Sequence, residues 1–219
     1  MIYSGLQGGY LLPVFFDLFA VFLFAFSGSI KAIDKGYDFI GVYVLAMVTS
    51  TGGSLIRDTL LQNGTPAPLL DYRYLLSIFL AGIAAMSLYR YNRHFTVIIN
   101  IIDAISLGMY AVFGTQKAIF LGLSIFSAFI IGFINAIGGG LLRDILIKEE
   151  SHFFKPGQYY TVNSIVAISL FLLLGMGIKL QAETAAIIAI IFSSLLRYMA
   201  VKFNLQTKAV NHWRLNKNN

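Results

Sequence analysis

The residues most suited to chemistry in this chain are charges that recur inside apolar sequence. Arg57-Asp58 and Arg143-Asp144 each close a glycine-rich run, Gly52-Gly53-Ser54-Leu55-Ile56 and Gly138-Gly139-Gly140-Leu141-Leu142, and the two copies lie 86 residues apart. At the same offset, without a gap, Asp17 aligns with Asp103, Ala25 with Ala111, Gly28 with Gly114 and Lys31-Ala32 with Lys117-Ala118. An ionised side chain inside a membrane helix costs about 2.5–3.5 kcal/mol on insertion scales, so meeting the same set twice suggests a polar pathway near the middle of a bilayer. Pairing Asp17 with Arg57, and Asp103 with Arg143, relieves much of that cost and predicts two charged clusters, one at each end of the pathway. Ion pairs that lock three helices together are the alternative role, and the two roles are compatible.

The glycines offer a similar choice. Two or three in succession at mid-helix are costly for helix propensity, and close packing alone favours a four-residue spacing, so a kink or break is expected rather than a packing notch. A broken helix exposes carbonyl oxygens at the end of one half and N–H groups at the start of the next, which suits ions within a cavity. Thr49, Ser50 and Thr51 precede the first run and Asn135 the second. Their oxygens either help replace the hydration shell of a permeating cation or, for the hydroxyls, bond back to their own helix. Lys31 and Lys117 sit at matching ends of the first and fourth predicted helices, where snorkelling to the headgroups is the default and facing a vestibule the alternative.

These residues need spanning helices to hold them. Hydrophobic residues make up 58% of the 219 and charged ones 12%, about half the charged fraction of a soluble domain, which identifies an integral membrane protein. At roughly 20 residues per span the chain has room for about seven helices and no separate soluble domain. The expected spans are 11–31, 39–61, 73–90, 96–116, 118–147, 159–179 and 183–203, joined by short Gly- and Pro-containing segments. The stretch from Ala118 to Leu142 runs 25 residues without a charge, far beyond a barrel strand, so the fold class is all-α. The first apolar stretch carries Asp17 and no basic region precedes it, which reads as a retained helix rather than a cleaved signal.

Seven spans place the termini on opposite sides. Lys31, Lys35, Arg90, Arg93, Lys148, Lys155, Lys202, Lys208, Arg214 and Lys217 then share a side with the carboxyl terminus, leaving Arg73, Lys117 and Lys179 on the other. The positive-inside rule puts the amino terminus outside and a basic tail, 204–219, in the cytoplasm, in the plasma (inner) membrane of a prokaryote. Repeat one (11–90) and repeat two (96–179) hold three helices each, so the second copy enters the membrane upside down. This is the 3+3 inverted repeat of many transport proteins, followed by a seventh helix, 183–203, within a single transmembrane domain, 1–203. In this frame Asp17, Arg57 and Asp58 gather near the outer face and Asp103, Arg143 and Asp144 near the inner one.

Other chemistries find no support. Cysteine is absent, which removes disulfides, thiolate metal sites and cysteine nucleophiles. His94, His152 and His212 fall in loops or the tail without metal-ligand spacing, and no HExxH or intramembrane Ser and His set exists, so neither an enzyme nor a metal site is expected. The net charge of +6 reflects membrane orientation rather than nucleic acid. Tyr72, Tyr74, Tyr89, Tyr91, Tyr159 and Tyr160 read as interfacial anchors, and the tail with Trp213 as a contact for anionic lipid or a cytoplasmic retention signal.

The doubled Gly-Gly-[Gly/Ser]-x-x-Arg-Asp pattern, in a seven-helix chain of this length, resembles the prokaryotic branch of the trimeric intracellular cation channel (TRIC) family over about residues 11–203. The resemblance implies a homotrimer in which each subunit encloses a pore for monovalent cations, chiefly potassium, between helices 2 and 5 kinked at Gly52-Gly53 and Gly138-Gly139-Gly140. It implies no cofactor beyond permeant K+ or Na+ and bound lipid. Animal members have a lysine just ahead of the second glycine run, whereas Asn135, Ala136 and Ile137 stand here, which argues against lipid and voltage control of the animal kind. Some bacterial relatives carry a glycine-transporter label. The alternative function is therefore a secondary carrier of glycine or another small neutral amino acid, bound at half-helix termini.

Overall fold

The computed structural model describes residues 12–62, 64–91, 96–151, 153–154 and 160–205. His94, His152, His212, Lys155, Tyr159, Trp213 and the tail from 206 onward lie outside them. Every regular element among the described residues is helical: α1 Val14–Asp34, α2 Phe39–Leu61, the single turn α3 Ala67–Leu70, α4 Tyr72–Tyr91, α5 Thr96–Phe120, α6 Ile125–Leu146, α7 Tyr160–Leu172 and α8 Ala182–Lys202. A π-helical turn, Leu173–Gly177, extends α7. Five of these helices are long and apolar enough to cross a membrane, namely α1, α2, α4, α6 and α8, and Thr161–Gly177 is a shorter apolar helix.

The helix boundaries follow local signals. Gly36, at φ 73°, ends α1 and returns the Tyr37 N–H to the Ala32 carbonyl at 3.0 Å. Asp38 then caps α2 by accepting the Gly41 N–H at 2.8 Å, satisfying one of the free donors at the helix start. The same device recurs 86 residues on: Gly122, at φ 81°, follows α5, and Ser124 caps α6 by accepting the Ser127 N–H at 3.1 Å. This second turn corrects one expected boundary. The joint between the fourth and fifth spans falls at 121–124 rather than near 117, because Gly122 and Ser124 supply the turn, and Lys117 therefore lies inside α5.

α1, α2 and α4 pack on one another, as do α5, α6 and α7, while α2 against α6 and α1 against α5 join the two groups and α8 covers α5 and α7. Equivalent hydrogen bonds tie each group: Ser77 Oγ donates to the Leu18 carbonyl at 2.9 Å, and Asn163 Nδ2 donates to the Ala104 carbonyl at 2.9 Å, both acceptor and donor displaced by 86. Between the groups, α1 and α5 run in opposite directions. The start of α1 meets the end of α5 where the Leu12 N–H donates to Gln116 Oε1 at 3.2 Å, and the later part of α1 meets the earlier part of α5 around Ser27, Asp103 and Arg143. Phe24 and Tyr110, themselves 86 apart, touch edge to face with ring centroids at 4.8 Å.

Polarity is distributed inside out. Ser27, Thr49, Ser50, Arg57, Asp58, Asp103, Asn135, Arg143 and Asp144 are buried, whereas Phe15, Ile40, Leu69, Leu75, Phe126 and Phe192 are exposed. A water-soluble domain does the reverse with its charges, so these apolar flanks face hydrocarbon. The chain is an all-helical, multi-pass membrane protein.

Candidate functional site

The centre of the site is the crossing of α2 and α6, made by the duplicated glycines. A Cβ added to Gly53 would collide with the Asn135 carbonyl oxygen, and one added to Gly139 would collide with the Thr49 carbonyl oxygen. Thr49 and Asn135 are themselves repeat equivalents, so the contact is reciprocal. Gly138 would meet Gly53 Cα at 3.0 Å and Gly52 the Leu142 Cδ1 at 2.7 Å. Two backbones thus touch where any side chain would hold them apart, the established use of small residues in membrane helices.

Of the kink or break expected at the glycines, the break does not form. α2 and α6 each run uninterrupted through their glycines, and no half-helix termini form at Gly52-Gly53 or at Gly138-Gly139-Gly140. The propensity cost of consecutive glycines is offset by the close approach they permit. The hydroxyls likewise bond inward to their own helix. Thr49 Oγ1 donates to the Leu45 carbonyl at 2.6 Å, Ser50 Oγ to Ala46 at 2.8 Å and Thr51 Oγ1 to Met47 at 2.8 Å. Asn135 Nδ2 donates to the Tyr110 carbonyl at 2.6 Å, and the Tyr110 hydroxyl donates to the Ser50 carbonyl, so α5 is stitched to both crossing helices. The side-chain oxygen of Asn135 is buried and accepts no protein hydrogen bond.

One charged cluster surrounds Arg57. Arg57 Nε donates to Asp58 Oδ1 at 2.6 Å, and Lys117 Nζ donates to the same oxygen at 2.8 Å. The expected Asp17–Arg57 ion pair is replaced: Asp17 Oδ2 accepts the Tyr74 hydroxyl at 2.5 Å instead. Tyr74 is therefore no interfacial anchor but a buried donor, 3% exposed. It belongs there because the start of α4 packs on the start of α1 and a neutral hydroxyl satisfies a carboxylate without adding charge. Lys117 is not a snorkelling residue either, since its extension of α5 aims the ammonium at Asp58. Asp17, Arg57, Tyr74, Gln116, Lys117 and Phe113 line a half-open cavity of about 170 Å³.

The second cluster surrounds Arg143, 1% exposed. Its Nε donates to Asp144 Oδ1 at 3.0 Å, and Nη1 donates to Ser27 Oγ at 3.0 Å and to Asp103 Oδ2 at 3.3 Å. Here the expected Asp103–Arg143 pair is present. Both carboxylates meet Arg143, and Lys31, the repeat equivalent of Lys117, turns outward: its Nζ meets Glu149 Oε2 at 3.1 Å, and Lys35 Nζ meets Glu149 Oε1 at 2.7 Å. Burial raises the Glu149 carboxyl pKa, but the hydrogen bonds from Lys35 and Lys31 outweigh it and hold the group below the ordinary glutamate value. The second oxygens of Asp58 and Asp144 are buried and accept no protein hydrogen bond.

Sequence reasoning missed Tyr74, Ser27, Tyr110 and Glu149. Tyr74 had a signal, since Tyr160 stands 86 residues later in the same repeat frame. Ser27 and Glu149 had none, because neither has a counterpart of like type in the other copy: Phe113 stands opposite Ser27 and Asn63 opposite Glu149.

Fold and site together define a duplicated helical membrane protein with a buried, charged axis. The sequence matches the family described as "Glycine transporter" twice, over residues 14–90 and 100–176. Relatives include the UPF0126 membrane proteins of Deinococcus radiodurans, 30% identical over 178 residues (80% of this chain, 83% of that one), and of Vibrio cholerae, 33% identical over 191 residues (86% and 79%). The inner membrane protein YadS of Escherichia coli is 26% identical over 90% of this chain and 95% of its own. Among solved structures, a TRIC cation channel studied for conductance superposes with a TM-score of 0.79 at 29% identity, over 90% of this chain and 97% of that chain. A prokaryotic TRIC channel in 0.5 M KCl gives 0.78 at 27%, over 89% and 98%. The orthologue from Rhodobacter sphaeroides, 23% identical, shares the fold with a TM-score of 0.82. The chain belongs to the TRIC family, of which the glycine-transporter description is a label, and it is not an enzyme.

Proposed function

We propose that the protein is a potassium-permeable monovalent cation channel of a prokaryotic inner membrane, with a pore in each subunit between α2 and α6. The observation that carries this reading is the buried polar axis: a charged cluster at each end and, between them, a crossing where glycine backbone meets the Thr49 and Asn135 carbonyls. In this conformation Gly53 and Gly139 close the crossing, so conduction requires α2 and α6 to separate there. The widened passage would offer the Asn135 side-chain oxygen and the backbone carbonyls of Thr49 and Asn135 to a partly dehydrated cation. Lipid is the solvent of the outer surface, and no cofactor enters the scheme.

An inverted 3+3 repeat, α1, α2 and α4 against α5, α6 and α7 with α8 as the seventh span, underlies the pathway. The antiparallel course of α1 and α5 and the reciprocal Gly53–Gly139 contact support it, as reciprocal contacts do for any two-fold arrangement. The positive-inside rule supports an external Arg57 cluster and a cytoplasmic Arg143 cluster. A homotrimer is supported by the family, whose solved members are described as trimeric.

Purified protein in planar bilayers under a potassium chloride gradient tests the reading. Discrete currents reversing near the potassium equilibrium potential are the expected result. Silence from folded, inserted protein would overturn it.

A further inference from the structure

The two repeats differ in what stands beside each arginine. Ala67 lines the cavity at Arg57, and its counterpart 86 residues on is Phe153. The repeat frame is unbroken there, since the two family matches both begin and end at that offset. A second position differs in the opposite sense, with Ser54 in the first copy and Gly140 in the second. A Cβ added to Gly140 would meet the tip of the Phe153 ring at 3.0 Å and Arg143 Nη2 at 4.0 Å. The bare glycine thus makes room for a ring that fills, beside Arg143, the position that Ala67 leaves open beside Arg57. The backbone of Phe153 is held at the start of α7, where the Thr161 hydroxyl donates to its carbonyl at 3.0 Å. Rotation about its Cα–Cβ bond moves the ring without moving the chain. The next residue, Phe154, is 76% exposed, so the placement of the first ring belongs to its position and not to the segment as a whole.

We propose that Phe153 is a side-chain gate at the Arg143 end of the axis, sealing the charged cluster from water until its ring rotates away. The inference rests on the channel reading and adds a barrier in series with the Gly53–Gly139 crossing. One side of the ring packs on the apolar core, and its tip abuts the guanidinium that Asp103 and Asp144 share. An ion approaching this end meets an apolar group where the Arg57 end offers a cavity of about 170 Å³. A hydrophobic constriction of this kind empties of water and stops ions without carrying a charge. The gate is present in one copy only, so the otherwise symmetric axis is covered at one mouth and open at the other.

The chain has no cysteine, so Ser27→Cys alone reports access to the Arg143 cluster: Ser27 is fully buried and bonded to Arg143 Nη1. The full-length variant in lipid nanodiscs is treated with methyl methanethiosulfonate, a small uncharged thiol reagent, and the modification rate is read by mass spectrometry. Potassium currents are recorded separately, without the cysteine. Phe153→Ala should accelerate modification about tenfold and raise the open fraction of the channel. Gly140→Ala should accelerate it by a different route, because its methyl displaces the ring tip, and it retains the ring if Phe153→Ala fails to fold. Phe154→Ala should leave the rate within roughly twofold of the parent. Cooperative thermal unfolding in detergent checks that each variant is folded. Unchanged modification in folded Phe153→Ala and Gly140→Ala, or equal acceleration by Phe154→Ala, would overturn the proposal. Currents with unchanged modification remove the gate and leave the channel reading standing; faster modification without current keeps Phe153 as the seal of the cluster and removes the channel.

Discussion

Arg57 and Arg143 occupy equivalent positions in the two repeats, but their removal should have unequal consequences. Arg143 is 1% exposed and is shared by Asp103 and Asp144, with Ser27 on the same Nη1 as Asp103. Arg143→Met keeps the bulk of the side chain and leaves buried Asp144, whose second oxygen already accepts no protein hydrogen bond, without its cation. Breaking a buried ion pair from one side costs about 3–5 kcal/mol, and Lys31 offers no substitute while Glu149 holds it. Around Arg57 the carboxylates have other partners, Lys117 at 2.8 Å from Asp58 and Tyr74 at 2.5 Å from Asp17. Arg57→Met therefore loses chiefly one charge-assisted hydrogen bond, worth about 1.5–3 kcal/mol. Unfolding by sodium dodecyl sulfate in mixed micelles, followed by circular dichroism, measures both. Arg143→Met should be the less stable by roughly 2 kcal/mol, and Asp144→Asn in that background should restore part of the loss, because it removes an unpaired charge. Equal losses, or a greater loss at Arg57, would refute the assignment of partners.

Three further outcomes follow from the geometry. Gly139→Ala should lower stability in the same assay by about 1–3 kcal/mol, the usual cost of overpacking, because its methyl meets the Thr49 carbonyl, and backbone cannot rotate away. Gly177→Ala, whose nearest neighbour is Leu173 Cδ1 at 3.5 Å, should change stability by less than about 0.5 kcal/mol. Glu149 should confer pH-dependent stability. Its folded-state pKa lies below the unfolded value, so the contribution is present in full above the ordinary glutamate range and disappears as pH falls through the depressed value. The stability difference between the parent and Glu149→Gln, followed from pH 7 downward, should shrink to zero across that window; a difference that persists in acid contradicts the pairing with Lys31 and Lys35.

Hydropathy located the helices well because lipid imposes one requirement on all of them, and the fold deviates where local turn chemistry decides. Gly122 and Ser124 move a boundary by several residues, and the short α3 after Pro66 carries too little sequence to announce itself. The repeat offset identified the charged residues of both clusters, yet it identified their partners only at Arg143. Asp17 takes a tyrosine instead of an arginine, a choice set by how α4 leans on α1, which no spacing along the chain encodes. The glycines show a different limit. Consecutive glycines look unfavourable when one helix is considered alone, and become favourable when a second helix brings the same glycines to meet them.

Lys117 reaches across to Asp58, whereas Lys31 is drawn away from Asp144 by Glu149. The two ends of the axis are thus chemically related but electrically unlike: Lys117 is bonded within the Arg57 cluster, whereas Lys31 and Lys35 stand on Glu149 beside the Arg143 cluster. If ions pass along this axis, they meet different potentials at its two ends. Within the channel reading, the current–voltage relation in symmetric potassium chloride should consequently bend, with inward and outward limbs of different slope, and raising the salt concentration should straighten it as screening flattens the difference.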